Sequence, residues 1–531
     1  MSRSRTITAL AAAGTALAMA SISACGSSSG GGSGSGSSGG KGGVVLGTTD
    51  SVTALDPAGA YDHGSWEIIL NVYQTLLTIP AGQTKPVPDA AKSCAFTNPS
   101  TYSCTLKSAQ KFSNGDALTS KDVKFTFDRL AKINDPNGPA SIFQGLKSTD
   151  APSPTQVVFH LAAPDATFPQ RLATGGGALV DAKVFPADKL LADAKVVGSG
   201  PYQVKSYTPK QIAQFTPNKD YGGSLKLANS QFVIQYFSEP SAMRQAVEQK
   251  KADIAYRTFS PTDINSLSKE SAKGLKVYNS RGTEKRYLVL DSKKGPTAKK
   301  AVRQAIASLI DRNAIASNVW DGTVKPLYGM VGIGVEGHTD PFKQLYGATP
   351  SKAKATALLK TAGYSAAKPV PLALWYTPTH YGPTSVDEFT LIQRQLNASG
   401  LFKVSLHSTE WNQYQKDEKA GQYPAYEIGW FPDFPDADND YAPFYSKDTF
   451  LYTGYNNPAV QKLIGVEQGT TDVAKRNAAF TAAEKLTAAD APIVPLWQGN
   501  LNAVANNTVS GVQQALDPQF FRFNLVSRSG K

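Results

Sequence analysis

The chain has 531 residues, 41% of them hydrophobic and 10% aromatic, which excludes an intrinsically disordered protein and leaves ample material for a large core. Its net charge of +12 comes from lysines in scattered surface-type pairs such as Lys250-Lys251, Lys293-Lys294 and Lys299-Lys300. No basic stripe with interleaved aromatics is present, so the excess describes a solvated surface and excludes nucleic acid as a partner.

Arg3 and Arg5 precede an uncharged stretch over residues 6–20, and Ile22-Ser23-Ala24-Cys25 follows. That is the order of a bacterial secretory signal, predicted here as residues 1–24. Small residues and a branched aliphatic ahead of a Cys resemble the lipobox of bacterial lipoproteins, in which the thiol receives a diacylglyceryl group before cleavage. The resemblance implies that Cys25 is lipidated and heads a membrane-tethered chain. Residues 26–43 are almost entirely Gly and Ser, a composition that buries nothing and behaves as a flexible leash. The hydrophobic segment itself is too short and Ala-rich for a permanent membrane span. Removing the signal takes away two Arg and no acid, leaving a charge of about +10 on about 507 residues, enough for two to four domains.

Val44-Val45-Leu46-Gly47 begins a strand, and Leu55-Asp56-Pro57 closes it in a loop because Pro lacks a donor and its predecessor avoids the helical region. Residues 65–77 are predicted as a helix, with Trp66, Ile69, Leu70, Tyr73 and Leu76 at core spacing. Apart from Cys25 the chain has only Cys94 and Cys104. In an oxidising compartment such a close pair reads as a disulfide, here across the Asn98-Pro99-Ser100 turn of a hairpin and worth about 2–3 kcal/mol. Strands are predicted at residues 102–106 and 157–161. Between them, residues 111–129 read as strand, turn and helix: Asn114-Gly115 turns, Thr119 caps with Asp122 as its box partner, and Val123, Phe127 and Leu130 form an apolar stripe.

Gly198-Ser199-Gly200-Pro201-Tyr202 leads into alternating strand sequence, then a helix from Glu239 that turns Met243, Ala246 and Val247 inward, then Ala252-Asp253-Ile254-Ala255. This is a βαβ unit. Helices at 302–310, 353–359 and 389–396 alternate with strands such as 372–376. The fold class is α/β without a short internal repeat.

Seven segments in this order are similar to the extracytoplasmic solute-binding proteins of ABC importers, specifically the peptide and oligopeptide-binding family. They are residues 71–77, 112–129, 198–202, 302–306, Ala362-Gly363-Tyr364, Gly429-Trp430-Phe431-Pro432-Asp433 and residues 491–496. The resemblance spans nearly all of the mature chain. It implies a two-lobed periplasmic-binding-protein-like fold with an additional domain and the ligand cleft between lobes. Residues 44–70, 175–283 and 498–531 would form lobe I, 71–174 the extra domain, and 284–497 lobe II, with hinge closure on the ligand.

A peptide buried in such a cleft needs opposite charges or several hydrogen bonds at its two ends. In the family an Asp in a Gly-Trp-x-x-Asp motif receives the ammonium, and that position here is Asp433. Trp411, in Glu410-Trp411-Asn412-Gln413-Tyr414, and Trp430 are implied as aromatic pocket walls, and Tyr61 is a further candidate. Relatives of the dipeptide type carry an Arg in the loop after the strand at 372–376. This chain has Thr377-Pro378-Thr379-His380-Tyr381-Gly382 there. Three readings stay open: His380 or Tyr381 makes a weaker contact, another cation holds the carboxylate, or the ligand has no fixed carboxylate.

The expected function is a lipid-anchored receptor on the outer face of the cytoplasmic membrane that captures peptides and presents them to ABC permease subunits, as a monomer and without a cofactor. A non-peptide solute such as an oligosaccharide is the alternative, because Trp375, Trp411 and Trp430 would also stack on sugars. No enzyme is expected: Gly-x-Ser-x-Gly, His-Glu-x-x-His and zinc-type clusters are absent, and His63-Gly64-Ser65 is a lone triplet. No metal is expected either. Asp436, Asp438 and Asp440 have calcium-like spacing, but Tyr441-Ala442-Pro443 follows where an EF-hand needs Gly.

Overall fold

The computed structural model describes residues 43–447, 449 and 451–528. The signal peptide, Cys25 and all of the Gly/Ser segment except Gly43 lie outside the described residues. From β1 (Val44–Thr48) the chain passes through the helix His63–Val72 to a short ribbon, β2 (Leu77–Thr78) with β3 (Val87–Pro88). A four-stranded antiparallel sheet follows: β4 (Ala91–Asn98), β5 (Thr101–Leu106), β6 (Leu146–Ser153) and β7 (Gln156–Leu161), in the order β4-β5-β7-β6. Next come β8 (Tyr202–Thr208), β9 (Ile212–Pro217), β10 (Phe232–Tyr236), β11 (Ile254–Tyr256) and the long β12 (Leu275–Leu290). They are followed by β13 (Val324–Pro326), β14 (Val370–Tyr376), β15 (Phe402–Ser408), β16 (Ala425–Trp430) and the long β17 (Ile493–Asn506), and the chain closes with a ribbon of β18 (Val509–Ser510) and β19 (Ser527–Arg528).

The large sheet has 11 strands, ordered β15-β14-β16-β12-β17-β11-β1-β10-β9-β8 with β13 paired to β17. β1 lies parallel to both β10 and β11, and the helix Pro240–Glu248 connects those two, which makes the βαβ unit. Two strands are common to both halves. The β12 segment from Leu275 to Arg281 pairs with the end of β17 that also meets β11, whereas Lys285 to Leu290 pair with β16 as well. Between Arg281 and Lys285 the register shifts. A Cβ on Gly282 would stand 2.7 Å from the Gly499 carbonyl oxygen, so glycine is required where the two strands touch.

Separate apolar cores lie on either side of this crossing. One, around Val44, Ile68, Phe215, Phe232 and Phe523, fills the β8–β11 half. In the other half β12 alternates: Leu288 and Leu290 face a core with Leu372 and Leu496, while Tyr287 and Val289 face one with Ile428, Tyr441 and Phe480. A further core, with Phe112, Val123, Phe127, Leu130 and Phe159, belongs to the four-stranded sheet. Cys94 and Cys104 are direct cross-strand neighbours on β4 and β5 and form a disulfide. Thr119 and Asp122 make the reciprocal capping box of the helix Ser120–Ile133.

Two local expectations fail. The strand expected at the start of residues 111–129 is only an isolated bridge between Lys111 and Ala117, because the Asn114-Gly115 turn leaves too few residues to extend it. The first helix stops at Val72 instead of continuing to residue 77. The Gly200 N–H donates to the Val72 carbonyl at 2.8 Å, and the Gly198 and Gly200 backbones press on that carbonyl so closely that no side chain would fit. Beyond the stop, the Thr75 and Leu76 carbonyls accept N–H groups from residues 89–91. The loop expected after β14 is also more ordered, with Pro378–Tyr381 forming one helical turn.

Candidate functional site

β16 ends at Trp430, and the chain then runs through Phe431 and Pro432 to Asp433 before the helix Ala437–Tyr445 begins. Two hydrogen bonds clamp Asp433 to that helix. Its N–H donates to the Asn439 Oδ1 at 2.7 Å, and the Asn439 amide donates to the Asp433 Oδ2 at 3.1 Å. The Trp430 indole N–H donates to the Asn439 carbonyl at 2.9 Å, so one asparagine orients both residues. The remaining oxygen, Oδ1, accepts the hydroxyl of Tyr61 at 2.8 Å, from a residue 372 positions away in the β1 half. Tyr61 is itself steadied by Trp66, with ring centroids 5.7 Å apart.

The surrounding protein raises the Asp433 pKa above its usual value by burial; hydrogen bonds from Tyr61 and Asn439 and the charge of Arg171 oppose the rise. Other contacts cross the same boundary. The Arg257 guanidinium, 5.4 Å from the Phe431 ring centroid, does so, and from the segment after β7 the Ala166 N–H donates to the Gln468 carbonyl at 2.8 Å.

His380, Tyr381 and Trp411 form a second group. The His380 imidazole stacks on Trp411 with centroids 3.8 Å apart and planes 6° apart, and Tyr381 stands edge-on to both. The Tyr381 hydroxyl accepts the Gly429 N–H at 2.8 Å, which ties this group to β16. Beneath the Tyr381 ring, 3.9 Å from its centroid, lies the buried guanidinium of Arg286, paired with Glu427 at 2.9 Å and Glu284 at 2.8 Å. Burial of the ring face, and then the Arg286 charge, push the His380 pKa down to about 4. His380 is therefore neutral at physiological pH and offers a hydrogen bond, not a charge, to a carboxylate. An NMR titration should find no imidazole transition for His380 between about pH 5.5 and 8; a midpoint near the ordinary 6.5 would overturn this.

The tryptophans each have an aromatic neighbour: Trp375 stacks on His407, Trp411 on His380, and Trp430 meets Phe444 edge-on. The three aspartates with calcium-like spacing diverge. Asp436 pairs with Arg476, Asp438 accepts the Gln468 amide, and Asp440 pairs with Lys285. Among the described residues no cluster of three or more metal-ligating side chains occurs. The Ser65 hydroxyl donates to Asp62 at 2.7 Å, so it is not held by His63 as a nucleophile by its base. No helix among the described residues is long and apolar enough to cross a membrane.

The sequence matches the family of bacterial extracellular solute-binding proteins, family 5 Middle, over residues 85–451, more than half of the chain. The chain belongs to this family. The probable D,D-dipeptide-binding periplasmic protein of Escherichia coli is 28% identical over 505 residues, covering 91% of this chain and 94% of that one. An ABC transporter-associated periplasmic binding protein from Helicobacter pylori, solved with the peptide STSA, superposes with a TM-score of 0.76 at 21% identity, covering 92% of this chain and 98% of that one. The Haemophilus influenzae protein solved with RPPGFSPFR gives 0.72 at 22% identity, covering 92% and 99%. Family membership and these superpositions establish the two-lobed α/β solute-binding fold.

Within this family frame, reading the sequence missed Asn439, which sets the direction of Asp433, and Arg286, which underlies Tyr381. Arg286 left a trace: Lys285-Arg286 stand directly before the apolar run Tyr287-Leu288-Val289-Leu290, and adjacent charges heading a buried strand need buried partners. Asn439 left none.

Proposed function

We propose that this protein is a lipid-anchored extracytoplasmic receptor that captures peptides by their amino terminus and delivers them to an ABC permease by hinge closure. The observation behind this reading is the Asp433 carboxylate, half-buried and oriented by Asn439, with one oxygen facing the opposite lobe and bonded there to Tyr61. A peptide ammonium replacing that hydroxyl would exchange a hydrogen bond from a neutral donor for one between two opposite full charges. Relatives named for dipeptides and structures solved with peptides support the ligand class. The β12 register shift beside Gly282 and Gly499 supports a hinge at the crossing strands, near the lobe boundaries proposed at residues 283 and 497. Cys25 and the Gly/Ser leash supply the anchor, and no catalytic step or cofactor is needed.

The test is mass spectrometry of small molecules released on denaturing gently purified protein lacking residues 1–43. Peptides are the expected result. A sugar or other non-peptide solute in their place would overturn the peptide reading and leave the receptor fold standing.

A further inference from the structure

A cavity of about 170 Å³ lies alongside the Asp433 loop, where the crossing strands pass between the lobes. Pro432 and Phe434, the residues on either side of Asp433, form one wall, and Arg281 and Lys285 of β12 form another. Among the described residues its lining includes these two cations and no acid. The cations are not equivalent. Lys285 is buried and neutralised by Asp440 at 2.5 Å, whereas the exposed Arg281 has no hydrogen-bond or ion-pair partner for its guanidinium among the described residues. The guanidinium is nonetheless placed. It occupies the space beside Gly334, whose φ of +80° already favours glycine and where a Cβ would overlap the Arg281 Nη1. The neighbours of that glycine, Ile333 and Val335, line the same cavity.

We infer that Arg281 is the receptor's subsite for a ligand carboxylate. This rests on the reading of Asp433 as the ammonium site. A carboxylate entering a partly dry cavity must regain hydrogen bonds and an opposite charge, and a guanidinium gives both through two parallel N–H donors. Arg281 is the cavity cation that has them to give, because Asp440 already holds Lys285. Asp433 itself does not line this cavity, but its chain neighbours Pro432 and Phe434 do, so a ligand held by its ammonium at Asp433 would run past that loop to set its carboxylate on Arg281. Arg281 thereby fills the role left open by the Arg-free turn at residues 377–382.

The experiment compares the wild type with Arg281→Gln, using alanine peptides of two to five residues as free carboxylates and as C-terminal amides, with calorimetric affinities. The wild type should prefer the carboxylate about tenfold or more, and the variant should lose that preference to within about threefold. Acetylating the amino end should weaken binding equally in both proteins, which certifies that the variant keeps an intact site. A carboxylate preference unchanged in Arg281→Gln overturns the inference and spares the peptide reading. Failure of the wild type to bind any of these peptides overturns both. Amidated peptides carrying one Glu distinguish the source: affinity regained through Glu assigns the subsite to an acidic side chain, and no gain assigns it to the chain terminus.

Discussion

Asp433→Asn is expected to weaken a peptide with a free amino terminus by about a hundredfold or more, and its acetylated analogue by less than about threefold. The substitution preserves shape; its single carbonyl oxygen can serve either the Tyr61 hydroxyl or the Asn439 amide but not both, while the backbone N–H of residue 433 still donates to Asn439 and holds the β16 turn. What disappears is the charge. An ammonium drawn into a half-buried site opposite a neutral amide keeps its desolvation cost and loses the attraction that offset it. Binding should also fall on acidification sooner than for an ordinary aspartate, because burial raises the Asp433 pKa and the ammonium requires the ionised form. Isothermal titration of the matched pair of peptides decides the matter: equal losses for both would remove Asp433 from the ammonium role.

The second large effect is on stability. Lys285→Met should lower the unfolding free energy by about 3–5 kcal/mol, measured by tryptophan fluorescence in urea, because it leaves Asp440 buried without a counter-charge. Both side chains are 1% exposed, and the second Asp440 oxygen also holds the Gly332 N–H at 2.8 Å. Burial acts on each partner separately, raising the Asp440 pKa and lowering that of Lys285. The pair is worth little over an apolar substitute, but half of it is costly. Adding Asp440→Asn, which can still accept from Gly332, should therefore recover most of the loss. A single-variant loss under about 1 kcal/mol would mean that Asp440 simply takes up a proton and that the ion pair does not hold the crossing strands.

Much of the fold was legible because its signals are local. The Thr119–Asp122 capping box and the disulfide hairpin each depend on residues within about a dozen positions of one another, and the strand–helix–strand order from Phe232 to Tyr256 was legible from its local elements even though β1 lies between its two strands. The first helix was misjudged at its end because the group that stops it, the Gly200 N–H, comes from far along the chain; residues 73–76 have nothing helix-breaking of their own. The site divides the same way. Asp433, Trp430, Trp411, Tyr61, His380 and Tyr381 could be named from family resemblance and residue chemistry, but not the bond between Tyr61 and Asp433, nor the stacking of His380 on Trp411 over a buried Arg286. Long-range pairing of this kind has no period or motif in a single sequence.

On the reading of Asp433 as the ammonium site, the Tyr61 hydroxyl makes the protein its own competitor. Every contact that draws the lobes together without a solute populates a shape the solute cannot enter, and apparent affinity drops by the fraction of molecules so occupied. A solute must therefore outbid a neutral phenol for one carboxylate oxygen. A positively charged amine does so readily, whereas an uncharged hydroxyl gains nothing from the exchange. On the same reading, the tyrosine sets a threshold: it sacrifices some affinity for every ligand and most of all disfavours neutral ones.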